Sequence, residues 1–456
     1  MNTLLAITGL GILCLLMEIL NMRKAIVAVT VVGLLAILGM TVSEFGFTEG
    51  HYNNMIVNSK FATSFSALFI VLMIFLISLS GDFYRYHPKK LSDYIAIKIF
   101  LLAGAVAMVS FGNLAMFFLG IEVLSISLYV LAGSNRLSLK SNEAGMKYFL
   151  MGSFASGIIL FGICLIYGAT GSFNIVEIYE LSKSDMIPEW FNIGLALMVI
   201  GMLFKVAAAP FHFWAPDVYE GSPSLTTALM ATLAKVVAVA TLYKLVRGMN
   251  AETDLRFEWV IGIIAVLSMT VGNFLALRQQ NVKRMLAFSG ISHAGFMLMF
   301  LLNLTVEPGA LLYYSAAYAL AGIAAFTVLI YVCQEKDNED IVNFNGLGKK
   351  SPVMAAVLTC ALLSMAGIPI FAGFFAKFML FTQTIEGGYL ALVIAGVVNS
   401  IVSVGYYFKL ILAMYTKDAE GEVKPVPMAF YAVAIISVLL NLGMGFFPSM
   451  VVDLLG

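Results

Sequence analysis

FNIGLALMVIGMLFKVAAAPFHFWA, residues 191–215, is apolar enough to enter a bilayer, yet it carries Lys205 within it and Pro210 five residues later. About 20 apolar residues make a spanning helix. Proline removes a backbone hydrogen bond and clashes with the preceding turn, so with Ala207-Ala208-Ala209-Pro210 and Pro216 this helix is expected to be interrupted inside the membrane. A charged group there is expensive and marks an ion path or a buried partner.

The same apolar pattern recurs in both directions. Runs bounded by charge, Gly or Pro lie at 3–21, 25–42, 64–80, 94–112, 113–131 and 146–168 before the quoted stretch, and at 225–246, 257–276, 282–301, 310–332, 352–385, 389–414 and 428–448 after it. Of the residues, 61% are hydrophobic and 11% charged, whereas a soluble domain is about half apolar and a quarter charged. Backbone in lipid must satisfy its own hydrogen bonds, so spans of this length are helices. The fold expected is an all-α polytopic membrane protein of about 14 transmembrane helices. The N-terminus has no basic n-region and no small-residue cleavage site, so its first run reads as a retained helix.

The run at 352–385 holds a second interruption, Gly367-Ile368-Pro369 with Gly373. Discontinuous helices at matching places in two halves are the mark of inverted-repeat transporters. Charged positions give the offset: Glu122 to His293 is 171 residues, Lys205 to Lys377 is 172, and Lys235 to Lys409 is 174. Pro210 follows its lysine whereas Pro369 precedes its own, so the repeat is imperfect. The division expected is one membrane domain over 1–456, with three helices in 1–90, a first five-helix repeat in 91–250, a second in 251–415 and a last helix in 416–456.

Net charge is zero, which gives no sign of a nucleic-acid partner. Its distribution says more. Loops on the side of the first connection carry Arg23, Lys24, Arg85, Lys89, Lys90, Arg136, Lys140, Lys147, Arg278, Lys283, Arg284, Lys336, Lys349, Lys350, Lys417 and Lys424. The other side has Lys60, Lys183, Lys244, Arg247 and Arg256. By the positive-inside bias the first set faces the cytoplasm and both termini lie outside.

Glu122 sits in FFLGIEVLSISLYVL, far from either end of its helix, and Lys205, Lys235 in LMATLAKVVAVATL and Lys377 in AGFFAKFMLF are equally deep. Burial disfavours charge on any of them, and a nearby opposite charge restores it. A Glu122–Lys205 pair can hold its charges while closed and release a proton when the partners separate; alternatively it is an ion pair that locks two helices. Lys235 and Lys377 have no equally obvious acid and read as protonatable stations. His293, in SGISHAGFML, either bridges the two halves as a proton carrier or is a satisfied buried histidine. Lys98 and Lys409, nearer the cytoplasmic ends, are points of proton uptake or release, or snorkelling side chains. His212, beside Pro210 and Trp214, reads as a helix-break residue, and Glu18 and Asp82 as helix-end charges.

Cys14, Cys164, Cys333 and Cys360 lie apart in apolar runs and read as buried structural thiols. No GxGxxG follows a strand, and there is no GxxxxGK[ST], no cluster-binding cysteine set and no histidine pair at metal spacing. No flavin, nucleotide, iron-sulfur cluster or metal is expected in this chain, so whatever drives the protons acts from a partner.

LFKVAAAPFHFWAPDVYEGSP at 203–223 resembles the signature of the antiporter-like subunits of respiratory complex I, which is shared with multisubunit sodium/proton antiporters. FFLGIEVLSISLYVLAG at 117–133, EAGMKYFLMGSFASGIILFG at 143–162, SHAGFMLMF at 292–300 and AGIPIFAGFFAKF at 366–378 are similar to that family too. DVYEGSP, the run Gly145–Gly152 and Lys235 set the chain apart from the other two antiporter-like subunits, which carry a histidine in an HAATMV-like segment where this chain reads ALMATLAKVV. One departure is EGSPSLTTAL, where the family commonly has a second proline after the acidic turn. The resemblance implies a proton-translocating subunit of the bacterial inner membrane. Glu122 and Lys205 would be its coupled pair, Lys235 its central relay and Lys377 its terminal station. It further implies partner membrane subunits and a peripheral arm carrying NADH, FMN, iron-sulfur clusters and quinone, with lipid, water and protons around this chain. The alternatives are a subunit of a sodium/proton antiporter and a non-transporting membrane scaffold.

Overall fold

The computed structural model describes residues 2–455 apart from 53, 86–87, 185–186, 250–254, 305–307, 335, 337 and 419–424. Lys424, counted above among the cytoplasmic cations, lies outside the described residues, as do the side chains of Lys89, Lys90 and Arg256.

In chain order the elements are α1 (Asn2–Ile19), α2 (Ile26–Ser43), a hairpin of β1 (Glu49–His51) and β2 (Ile56–Asn58), α3 (Lys60–Phe83), α4 (Pro88–Ser110), α5 (Leu114–Ala132), α6 (Leu139–Thr170) and α7 (Ile175–Ser182). There follow α8 (Trp190–Val206), α9 (Trp214–Gly221), α10 (Ser224–Leu229), α11 (Lys235–Gly248), α12 (Leu255–Leu277), α13 (Val282–Leu298), α14 (Gly309–Cys333) and α15 (Leu347–Lys350). The last are α16 (Pro352–Ala366), α17 (Ala372–Glu386), α18 (Leu390–Thr416), α19 (Met428–Phe446) and α20 (Ser449–Val452). A π-turn, Met230–Ala234, joins α10 to α11 in one span.

Among the described residues 12 helices are long and apolar enough to cross a membrane. The two further runs expected from sequence, 191–215 and 352–385, are each divided into two shorter helices, α8 with α9 and α16 with α17. From α4 to α11 and again from α12 to α18 the chain shows three long helices, a divided one and a further long one. Helix starts follow side-chain caps: Ser59, Asn113, Ser138, Asn174 and Asn281 each accept a first-turn N–H, which satisfies a donor that the helix cannot.

Both divisions use the same device. Ala207 donates to the Phe204 carbonyl and Ala208 to Leu203; Gly367 donates to Ser364 and Ile368 to Leu363. These are paired closures in which the residue after the helix turns left-handed, at φ 62° for Ala207 and 87° for Gly367. Pro210 lies in the first gap and Pro369 in the second, whereas Pro216 occupies the first turn of α9 and Gly373 that of α17. Proline costs nothing in a first turn, because the N–H it lacks would be unpaired there anyway.

The most deeply buried spans are α10–α11, α13 and α14. Helices α1 and α2 pack outside α4 and α3, and α19 lies against α14. Two elements had no apolar signal. The β1–β2 hairpin joins the α4–α5 turn through Ile56 and Phe111, and α7 is held there by the pairing of Asn113 with Asn174. The thiols are not all buried: Cys164 is exposed on the outer face of α6, and Cys360 is partly exposed.

Candidate functional site

Lys205, two residues before the first break, is only partly buried and points to hydroxyls. Its Nζ donates to Ser125 Oγ at 2.9 Å, Ser156 Oγ at 3.2 Å and Tyr129 OH at 3.3 Å. Ser125 and Tyr129 stand one and two turns beyond Glu122 on α5, so a single face of α5 carries the carboxylate and two of the ammonium's acceptors. The direct Glu122–Lys205 contact expected from sequence is not made: among the described residues no ion pair joins them, and Glu122 Oε1 is buried without a hydrogen-bond partner. The two charges still act on one another through space. The three hydroxyls take the ammonium's donors, which leaves the carboxylate unpaired. Gly152 makes room for this arrangement, since a Cβ there would lie 2.1 Å from the Tyr129 hydroxyl oxygen.

The second cluster is deep. Lys235, 3% exposed, begins α11 just after the π-turn and donates to the Gly290 carbonyl on α13 at 2.8 Å. One turn further along α13 is His293, whose Nδ1 meets Tyr314 OH at 2.8 Å and whose Nε2 meets Tyr407 OH at 3.3 Å. Tyr407 in turn is hydrogen-bonded to Ser289. Lys377, on α17, donates to the Ala366 carbonyl at 3.0 Å and lies 5.0 Å from the centre of the Phe296 ring. That carbonyl ends α16, where the helix dipole is negative, so the ammonium is held by the break itself. At the first break the equivalent task falls to Trp214, whose Nε1 donates to the Phe204 carbonyl at 3.1 Å.

His293 lies within electrostatic reach of both Lys235 and Lys377. A void of about 10 Å³ lined by His293, Tyr314, Tyr318, Ser364 and Lys377 joins the histidine to the last lysine; that is near the least space one water needs. Hydroxyls that both donate and accept, with an imidazole among them, can hand a proton along.

The outlying candidates divide. Lys98 does not snorkel: it is 0% exposed and donates to Ser80 Oγ at 2.9 Å. Lys409 is partly buried and donates to the Gln279 carbonyl at 2.9 Å. His212 is buried in the first gap with Nδ1 unpartnered.

Several charged groups that the sequence reading did not single out work at the end of the molecule rich in basic loops. Arg284 Nη1 contacts Asp217 at 2.7 Å and Glu220 at 3.0 Å, Lys147 contacts Asp217 at 3.1 Å, and Lys140 contacts Glu220 at 3.3 Å. The acidic residues of DVYEGSP therefore tie α9 to α6 and α13. Lys283 pairs with Glu339 at 2.8 Å. At the opposite end Lys244 donates to the Val109 carbonyl at 2.7 Å. The only available signal for the hydroxyls was helical spacing: Ser125 three residues after Glu122, Ser289 four before His293, Tyr314 four before Tyr318. Among the described residues no three His, Cys, Asp or Glu side chains are grouped to hold a metal ion.

Residues 112–403 match the family described as NADH:quinone oxidoreductase/Mrp antiporter, transmembrane. Along its full length the chain is 68% identical to the NADH-quinone oxidoreductase subunit N of Flavobacterium johnsoniae, covering 100% of each, and 59% identical to that of Flavobacterium psychrophilum, again covering 100% of each. Among solved structures it is similar to a chain of respiratory complex I from Thermus thermophilus, with a TM-score of 0.86 and 28% identity over 99% of this chain and 98% of that one. A chain of the Mrp complex from Dietzia shares the fold, with a TM-score of 0.87 at 19% identity over 99% of this chain and 95% of that one. The two helix breaks, the buried lysines and these likenesses place the chain in the NADH:quinone oxidoreductase/Mrp antiporter transmembrane family.

Proposed function

We propose that this chain is a proton-translocating membrane subunit of a bacterial NADH:quinone oxidoreductase, in the place that subunit N holds in its relatives. The observation that carries the reading is the run of ionisable groups inside the helix bundle: Glu122 and Lys205 on one flank, then Lys235, His293 and Lys377 on a hydroxyl-lined course. In this reading 91–250 and 251–415 are the two inverted repeats, Glu122 and Lys205 are the switch, and Lys235, His293 and Lys377 are the relay. Lys409 serves at an end of the path. Both termini face the periplasm, as the basic loops at the opposite end support. NADH, FMN, iron-sulfur clusters and quinone belong to partner subunits, and this chain contributes charge movement. The likeness to the Mrp complex shows the fold alone and does not favour free-standing sodium/proton exchange.

The test is Glu122→Gln, which keeps the shape and removes the charge that Lys205 feels. In the intact complex, NADH-driven proton pumping drops sharply, while electron transfer from NADH to an artificial acceptor at the peripheral arm is unchanged. Normal pumping by the assembled variant would make Glu122 dispensable and remove the switch.

A second expected result concerns the redox groups. The isolated subunit shows no flavin absorbance and no iron-sulfur paramagnetic signal, although the complex it is taken from shows both. A redox spectrum that follows this chain through purification contradicts the assignment of the cofactors to its partners.

A further inference from the structure

A cavity of about 420 Å³ that the relay does not use opens at the end rich in basic loops, between α3, the α5–α6 turn, the α9–α10 turn and α14. It has room for on the order of ten waters. Lys140, Lys283, Lys336, Glu220 and Glu339 give it charged walls, and Lys283 is held there by Glu339 and by the Ser222 carbonyl at 2.9 Å. Two of its lining groups are buried polar atoms without a protein partner, Ser222 Oγ and Tyr84 OH. Buried hydroxyls are rarely left so, and the polar space beside them is large enough for water. The inner end is aromatic. Phe83, Tyr84 and Tyr94 pack ring to ring, with centroids 4.9 and 5.0 Å apart.

Lys98 lies against this floor, its Nζ 5.0 Å from the centre of the Tyr84 ring. It is 0% exposed, and among the described residues no carboxylate pairs with it; Ser80 Oγ is its hydrogen-bond acceptor. A buried lysine that packs no salt bridge and touches the wall of a polar chamber is hard to account for by structure alone, since burying an unpaired ammonium is costly. Tyr84 belongs to both, with its ring on the amine and its hydroxyl unpartnered.

We propose that this chamber is a water-filled vestibule on the cytoplasmic side and that it delivers protons to Lys98, which serves as an uptake site. The inference rests on the proton-translocation reading given above and adds to it a place of uptake on α4, apart from the Glu122–Lys205 switch. A hydronium ion in the vestibule gives its proton to the neutral Lys98 amine and is left as water; Tyr84, whose ring lies on the amine and whose hydroxyl is unpartnered, carries the transfer across the wall. The proton leaves Lys98 as the ammonium is deprotonated by the next carrier inward, so the amine is restored.

The experiment uses the intact complex in membrane vesicles of both orientations. Ser224→Cys, a near-isosteric change on the vestibule wall, is treated with an impermeant cationic methanethiosulfonate and the labelled peptides are identified by mass spectrometry. In inside-out vesicles this cysteine reacts at least about tenfold faster than fully buried Cys14, because reactivity follows access to water, and in right-side-out vesicles it does not react. Lys98→Met lowers pumping about fivefold or more at unchanged electron transfer to the artificial acceptor, as loss of a positioned proton carrier does. Tyr84→Phe, which removes one hydroxyl and endangers no packing, slows pumping as well and serves where Lys98→Met does not assemble. The adduct at Ser224→Cys slows pumping with Lys98 present and adds nothing in Lys98→Met, since both obstruct one path. The proposal is overturned by a Ser224→Cys that is unreactive from the cytoplasmic face, by wild-type pumping in assembled Lys98→Met or in Tyr84→Phe, or by an adduct that slows Lys98→Met equally. Loss in Lys235→Ala with none in Lys98→Met rejects the uptake site alone, and the reverse rejects the relay.

Discussion

Lys235→Ala and Lys377→Ala each reduce NADH-driven pumping at least about tenfold, equivalent to about 1.4 kcal/mol on the limiting barrier, and the double variant is little worse than the poorer single one. The reason is geometric. Lys235 and Lys377 both lie near His293, and each is held by a backbone carbonyl rather than by an acid. Either amine can therefore lose its proton without leaving a carboxylate stranded, as a relay station must. Stations in series fail together, so their effects do not add. Independent structural contacts give the other pattern, with losses of stability that add for separated sites. Lys235→Met and Lys377→Met keep most of the volume and separate loss of the amine from the cavity that alanine leaves. Membrane potential and coupled NADH oxidation, normalised to assembled complex, provide the measurement. Full pumping in Lys235→Met removes Lys235 from the path.

Gly373→Ala destabilises the subunit by about 2 kcal/mol or more and lowers the yield of assembled complex. A Cβ at Gly373 would lie 1.8 Å from the Ser364 carbonyl oxygen and 2.7 Å from its carbon, both of them backbone atoms. Helix α17 must then move away from α16. That shift also breaks the bond from Gly373 N to Ser364 Oγ, whose hydroxyl in turn reaches Asn441 on α19 at 2.9 Å. Lys377 is one turn further along α17, so its hold on the Ala366 carbonyl goes with the shift. Gly262→Ala is the control: nothing lies within 4 Å of a Cβ placed there, in the middle of α12, and an alanine in a helix is neutral or stabilising by about 0.5–1 kcal/mol. Thermal inactivation and native-gel yield of the two variants decide the matter. Equal stability for both shows that α16 and α17 have slack at their crossing.

Most helices were legible because lipid forces long apolar runs, and prolines with a lysine nearby marked both breaks before any geometry was known. The residue that ends α8 was not marked. Ala207 takes a left-handed turn usually left to glycine, so only the Gly367 break announced its own position. The β1–β2 hairpin and α7 are short, and their anchoring comes from pairing across the chain, which no local window records. For the site, charge within apolar runs was enough to find Glu122, Lys205, Lys235, His293 and Lys377 as candidates. Partner choice was beyond it: Lys205 turns to Ser125, Tyr129 and Ser156, and serine and tyrosine in a membrane helix look the same whether they bind an ammonium or their own backbone. The depth of Lys98 was misjudged for a related reason. Distance from a helix end does not say whether a neighbouring helix stands in the way, and the residues around Tyr84 do.

The two helix breaks share one backbone turn but are plugged differently, by the Trp214 indole in the first half and by the Lys377 ammonium in the second. An indole keeps its proton at any pH a cell meets, so the first plug is a fixed rivet. An amine can be emptied and refilled, and each change alters how firmly α16 and α17 are fastened to each other. In the relay proposed above the two breaks thereby become unlike: one is a stiff frame and the other a joint whose tightness records whether a proton is aboard. On that proposal the chain has a front and a back, and proton traffic through it acquires a direction that two identical breaks would lack.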